Sequence, residues 1–360
     1  MIIQASWSEP SLCQLVASLG ALYKARGPRV LDISQEESDL HQQYAFRQYG
    51  RALKSVQARI STDQNRDTTR VALIASLLIY CFENLYGALN SAIGHLEGAL
   101  QLMHKQLARA SRRYKHSENR SPSSSLDDDL VAAFFRLDSG LLSRDEISDA
   151  VTLGSRLGIN HLENLREIPE RFNDISEARS FLEHIQFPAI PSLSRDLLLR
   201  TNSSLLPVYI DEKARDLYTT MSSQLRRWHV AFATLYAQCS RLNDGRNFIA
   251  VATLRVRALS TDLASQRVCV TDMSSPYIFN PVSREIVDLS KLVADDPSFI
   301  KSFVWDCGIV PGLSIVIAAC LDMSIRKEAL QLLKQMVPRR EGVWDSATAA
   351  KFGERLLQIS

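Results

Sequence analysis

The groups able to do chemistry in this 360-residue chain are few and dispersed. The seven histidines are His41, His95, His104, His116, His161, His184 and His229. No two stand four apart with a Glu beside them, so the helical zinc-hydrolase arrangement is absent. His95 and His229 fall in apolar helical stretches. They are read as core or half-exposed histidines rather than ligands. The six cysteines (Cys13, Cys81, Cys239, Cys269, Cys307 and Cys320) include no Cys-x-x-Cys clip, and most have apolar neighbours, as in Tyr80-Cys81-Phe82. That predicts buried thiols in a reducing compartment, with neither a disulfide framework nor a metal site.

Carboxylates for a magnesium–diphosphate site would have to cluster at helical spacing. Asp127-Asp128-Asp129 is the one candidate, but the residue four beyond Asp127 is Val131. Asn243-Asp244 lacks the later hydroxyl and Glu of a second metal motif. The acidic run is better read as a helix-capping turn. Pro311-Gly312-Leu313-Ser314-Ile315-Val316 has the first half of a nucleophile elbow but no second glycine and no strand before it. There is no phosphate-binding glycine loop. No catalytic residue, metal ligand or cofactor is assigned, and the chain is read as a non-enzyme.

The elements that would position these residues are helices. Gly and Pro number only 14 and 12, and strand-like alternation is nearly absent. Apolar spacing predicts helices over 12–24, 40–60, 69–85, 88–110, 214–241, 248–263, 313–321, 324–336 and 347–359. Ser38 or Asp39 is expected to cap the second, and Asp345 or Ser346 the last. The stretch 281–296 reads as mixed and polar. Arg47, Arg51, Lys54 and Arg59 are read as a solvated helix face. Gly94 and Gly98 are expected to let a neighbouring helix approach closely. The fold class is all-α, an irregular array of antiparallel helix pairs without a strict repeat. It is expected to form a single domain over 1–360, with a flexible polar loop at about 111–129.

Net charge is only +2, from 42 basic and 40 acidic residues, so the chain has no global field for nucleic acid. The basic half of the 111–129 loop is read as solvated rather than as a localisation or phosphate-binding patch. The best apolar run, 71–82, is shorter than the ~20 residues that cross a bilayer, and no secretory signal is evident. An intracellular protein is expected.

Two stretches carry a family pattern. The first is Ala45-Phe46-Arg47-Gln48-Tyr49-Gly50-Arg51-Ala52-Leu53-Lys54, followed by the run Ala72–Glu83 and by Ala92–Leu100. The second is Pro338-Arg339-Arg340-Glu341-Gly342-Val343-Trp344-Asp345-Ser346. Together they resemble the C-terminal regulatory domain of fungal six-cysteine zinc-cluster transcription factors, in the second class of that domain. The resemblance implies a nuclear transcription regulator of metabolic or secondary-metabolite genes. The chain departs from the family in holding no cluster of six closely spaced cysteines, so no DNA-binding residue is assigned. The expected partners are other transcription proteins or a DNA-binding partner. A small-molecule effector and a second copy of the chain stay open, and no membrane is expected. The signature residues Arg340, Glu341, Gly342, Trp344 and Asp345 are given structural roles: Gly342 a tight turn, Trp344 a plug between helices, Asp345 a cap. The alternative is a helical small-molecule binder or biosynthetic enzyme built on the same scaffold.

Overall fold

In the computed structural model the described residues are 2–26, 34–62, 66–114, most of 130–137, 167–186, a few positions between 189 and 197, 211–241, 245–269 and 277–359 except 301 and 303. They are helical almost throughout, and the only strands among them are two of two residues each. The all-α expectation holds. The chain divides into two compact units, one of residues 1–138 with 155–158 and one of 139–154 with 159–360.

The first unit contains α1 (Ile2–Ser8), α2 (Pro10–Arg26), α3 (Gln35–Thr62), α4 (Arg66–Tyr86) and α5 (Leu89–Tyr114). α4 is the core helix, with Leu73, Ile74, Ala75, Tyr80 and Phe82 all essentially sealed from water. Its residues 67–86 are long and apolar enough to cross a membrane, but most of that length is buried inside the protein, as in the core helix of a soluble fold. The apolar run alone understated it, because charged and polar ends extend the helix beyond 71–82. α3 packs chiefly on α2 and also on α4, through Ala45, Ala52 and Val56. Small residues in that stripe let the backbones come close. Gly87, at φ +103, ends α4, and the chain folds straight back into α5.

Several boundaries differ from expectation for local reasons. α3 begins at Gln35, not beside Ser38. The Ser34 hydroxyl accepts from Glu37 N at 3.2 Å and the Glu37 carboxylate accepts from Ser34 N at 3.2 Å, a reciprocal capping box. α5 continues to Tyr114, so 111–114 is helical rather than loop. The rest of the expected loop, 115–129, lies outside the described residues, as do His116, His161 and Asp127–Asp129. Gly94 and Gly98 have nothing within 4 Å of where a Cβ would sit, so no helix approaches them.

The second unit contains α6 (Ile175–Gln186), α7 (Glu212–Arg241), α8 (Gly245–Cys269), α9 (Asn280–Ala294), α10 (Pro297–Ile300), α11 (Val310–Ala319), α12 (Met323–Gln335), β1 (Arg340–Glu341), β2 (Trp344–Asp345) and α13 (Ser346–Ile359). α9 was not expected. Its buried serines, Ser283 and Ser290, make 281–296 read as polar, yet Ile286, Val287, Leu289 and Val293 line its inner face. α8 is the central element, packing against α7, α9, α11 and α6. Trp228 of α7 is fully buried, stacks on Phe232 at 4.3 Å and donates its indole N–H to the Ala178 carbonyl of α6 at 2.8 Å. That bond lets a large polar-edged ring sit in an apolar core. α11 is apolar on nearly all sides and sits against α8, where Gly312 makes the approach possible. A Cβ there would meet Ser260 Oγ at 2.7 Å and Val256 Cγ1 at 2.8 Å.

Candidate functional site

The C-terminal signature folds into a small hairpin. β1 and β2 pair antiparallel, Arg340 opposite Asp345 and Glu341 opposite Trp344. Gly342 makes the turn at φ +56, a left-handed conformation that costs glycine little. A Cβ on it would also stand 2.9 Å from the Asp306 carbonyl oxygen. Gly342 N donates to the Val304 carbonyl at 3.1 Å, and Val304 bridges Glu341 in parallel. The hairpin is thereby tied to the segment that leads into α11.

Glu341 is the hub, and its side chain is wholly sealed from water. The carboxylate accepts from Arg339 Nε at 2.7 Å and from Val310 N, in the first turn of α11, at 2.8 Å. It also accepts from the backbone N–H of Gly308. Only glycine fits at 308, because a Cβ there would lie 2.4 Å from Glu341 Oε1. Burial pushes the Glu341 carboxyl up, against the Arg339 charge and the N–H donors that pull it down. Arg339 is itself only 7% exposed. Its guanidinium lies over the Phe299 ring at 3.5 Å and donates from Nη1 to the Phe299 carbonyl at 2.8 Å. Arg339 and Ser346 close the base of the hairpin, with Ser346 N donating to the Arg339 carbonyl at 3.0 Å.

The other signature residues lie around this hub. Arg340 reaches the edge of the hairpin and pairs with Asp345 at 3.5 Å. Asp345 accepts from Thr348 N at 2.8 Å and caps α13. Trp344 is half-buried against the core of the second unit. Arg339 was missed as a site residue, although it stands in the same sequence run. The signal available was two adjacent arginines directly before a Glu, with Asp345 the one other charge in the run 338–346. This arrangement fixes backbone. It places no nucleophile beside a base, and the one nearby thiol, Cys307, is driven up to about 12 by burial, so it stays protonated.

In the first unit the corresponding polar hub is Glu83 of α4. Its Oε1 accepts from the Tyr49 hydroxyl of α3 at 2.8 Å and from Ser91 of α5 at 2.9 Å, and its Oε2 lies 2.9 Å from His95 Nδ1. Serine and histidine both address the carboxylate and not each other, so no nucleophile is activated. Burial and the bond to Glu83 raise the Tyr49 phenol further above its usual value. The Tyr49 ring stacks on Phe82 at 4.1 Å. Glu83 thus pins α3, α4 and α5 together.

Of the remaining histidines, His41 is half-buried, His184 is exposed and bonds the Ser180 carbonyl at 2.8 Å, and the side chain of His104 lies outside the described residues. His229 is half-buried beside Trp228, with burial first and the Arg255 charge second lowering it to about 4. The expectation of half-exposed core histidines fits His95 and His229. None of the six cysteines is in a disulfide. Cys239 and Cys320 are buried and Cys81, Cys269 and Cys307 partly so, whereas Cys13 is exposed, against expectation. No group of three or more His, Cys, Asp or Glu able to hold a metal ion occurs among the described residues.

Residues 1–138 match the family model described as the fungal specific transcription factor domain. The match ends where the main segment of the first unit ends. It contains the first of the two sequence patterns, and the hairpin signature lies beyond it. The match supports a transcription-regulatory role. No curated protein and no solved structure matched the chain.

Proposed function

We propose that this chain is a nuclear transcription-regulatory module of the fungal zinc-cluster regulator type, acting through protein partners on metabolic or secondary-metabolite genes. The observation that carries the reading is the family match over 1–138, which coincides with a compact helical unit pinned by Glu83. The two polar hubs bind helices together and offer no acid–base or nucleophilic pair, which fits a module that works by presenting surfaces. The 360 residues hold no six-cysteine cluster, and DNA reading is assigned to another polypeptide segment or partner.

The test is a fusion of residues 1–360 to an unrelated DNA-binding domain, read on a reporter carrying its operator. A several-fold change in transcription, up or down, together with nuclear accumulation of the tagged protein, is the expected result. A folded, expressed fusion that leaves the reporter unchanged would overturn the reading. So would purified protein that turns over a metabolite, which would favour the biosynthetic alternative.

A further inference from the structure

The outer crest of α3 carries six exposed residues in unbroken 4-3-4-3-4 spacing: Leu40, Tyr44, Arg47, Arg51, Lys54 and Ala58. This is the spacing of a helix–helix seam, in which alternate steps of four and three keep side chains on one line. Leu40 is 64% exposed and Tyr44 46%. Gly50, beside the middle of the line, has nothing within 4 Å of where its Cβ would be. The seam rises over about 27 Å, a little over two and a half heptads. Its middle three positions are cations, and among the described residues none of them has an ion pair. Arg59, one face away, is by contrast held by Glu9 at 2.5 Å. The acids of α3 are confined to its first turns, at Glu36, Glu37 and Asp39.

We infer that this crest is a docking seam for an acidic amphipathic helix of a partner protein, with apolar anchors over Leu40 and Tyr44 and carboxylates over Arg47, Arg51 and Lys54. Charge selects the occupant. A second copy of α3 laid along the seam in antiparallel fashion would set Arg47 against Arg51 of the copy and Arg51 against its Arg47, and like charges in register oppose pairing. A nucleic-acid backbone tracking the seam would run onto Glu36, Glu37 and Asp39, and the chain's net charge of +2 supplies no long-range attraction to it. For a helical peptide the same acids set polarity, because they favour a neutral or basic end over the start of α3 and an acidic end over Lys54. The solvated-face reading of these cations does not account for Leu40 and Tyr44 on the same line. The inference rests on the regulatory reading only in taking the occupant to be a protein.

The probe is a fluorescein-labelled, helix-forming 21-residue peptide with Leu at the terminal seam positions and Glu at the three central ones, titrated with the full chain at physiological salt. Saturable binding in the micromolar range is expected, weakening at least ~10-fold in the triple variant Arg47→Gln/Arg51→Gln/Lys54→Gln and several-fold in Leu40→Ala/Tyr44→Ala. Loss should persist in Arg47→Glu alone, and all variants are checked for unchanged helical circular dichroism. The control Lys351→Glu/Arg355→Glu, on exposed positions of α13, should bind as wild type, and the peptide with Lys in place of Glu should not bind. No saturable binding would overturn the inference, as would equal loss in the α13 control. Displacement of the peptide by a DNA duplex at lower concentration, or a dimer in sedimentation that the triple variant dissolves, would each assign the seam to another occupant. Peptide binding with a silent reporter fusion leaves this seam standing and removes the regulatory reading. An active fusion without peptide binding does the reverse.

Discussion

Replacing Glu341 by Ala tests whether the hairpin hub holds the second unit together. The substitution removes the acceptor of Arg339 Nε and of the Val310 and Gly308 N–H groups, and it leaves a guanidinium only 7% exposed with its charge uncompensated. Breaking one side of a buried pair in this way costs about 3–5 kcal/mol. Against a typical stability of about 5–15 kcal/mol, that is a large fraction. With a urea slope near 2 kcal/mol per M for a unit of this size, the midpoint should fall by roughly 1.5–2.5 M. Tryptophan fluorescence reads the transition well, because Trp228, Trp305 and Trp344 lie in the second unit and only Trp7 in the first. Arg339→Met combined with Glu341→Leu removes both charges, and it should cost less than Glu341→Ala alone. The remaining penalty is then the two backbone N–H groups, at roughly 1–3 kcal/mol each if water does not reach them. A Glu341→Ala variant that loses less than ~1 kcal/mol would refute the assignment of Glu341 as a hub.

Three further outcomes follow from the same geometry. His229 is lowered to about 4 in the folded state, so the unfolded chain binds its proton first and the group's contribution is present above pH 6.5. It is lost as pH falls towards 4, worth ~2–4 kcal/mol, and the difference between wild type and His229→Gln in urea midpoints at pH 7 and pH 4.5 should show it. Gly308→Ala should destabilise the second unit by about 3 kcal/mol, since its Cβ collides with a sealed carboxylate, while Gly94→Ala and Gly98→Ala should raise the melting temperature slightly by improving helix propensity at open positions. Trp344→Ala should cost ~1.5–3 kcal/mol, below the 3–5 typical of a fully buried ring, because the side chain is only half-buried; an unchanged melting temperature would mark it as a surface residue.

Helices with an apolar stripe were legible from the sequence because one period accounts for their inward residues, as in α7 with Tyr218, Met221, Leu225, Trp228, Phe232 and Leu235. α9 was hidden because Ser283 and Ser290 occupy positions that the period reserves for apolar side chains. The capping of α3 was hidden in plain spelling: Ser34-Gln35-Glu36-Glu37 is a capping box, but Ser38-Asp39 directly after it offers a competing start. In the hairpin, Gly342 and Asp345 reveal their roles locally, since a turn and a cap depend on neighbours in sequence. Glu341 does not. Its partners Gly308 and Val310 lie more than thirty residues away, and nothing local distinguishes a carboxylate that will be sealed from one that will be solvated.

The two hubs also bear on how the units divide the work. Glu83 ties α3 from its inner side, through Tyr49, and so helps to fix the azimuth at which the crest of Leu40 to Ala58 faces outward. A seam at 4-3-4 spacing is specific only if its helix cannot roll, because a rotation of one residue, about 100°, would turn the three cations off the line. Arg59 on Glu9 adds a second fixed point near the far end of the helix. Substitution of Tyr49 by Phe removes only the bond to Glu83, while the ring stack on Phe82 and the buried Ala45, Ala52 and Val56 keep the crest in place, so peptide binding should stay close to wild type. Substitution of an exposed cation removes contacts directly and leaves α3 in place. The two effects separate by experiment, since Tyr49→Phe should lower the urea midpoint of the first unit by the worth of one hydrogen bond with peptide binding kept, and the cation variants should do the reverse.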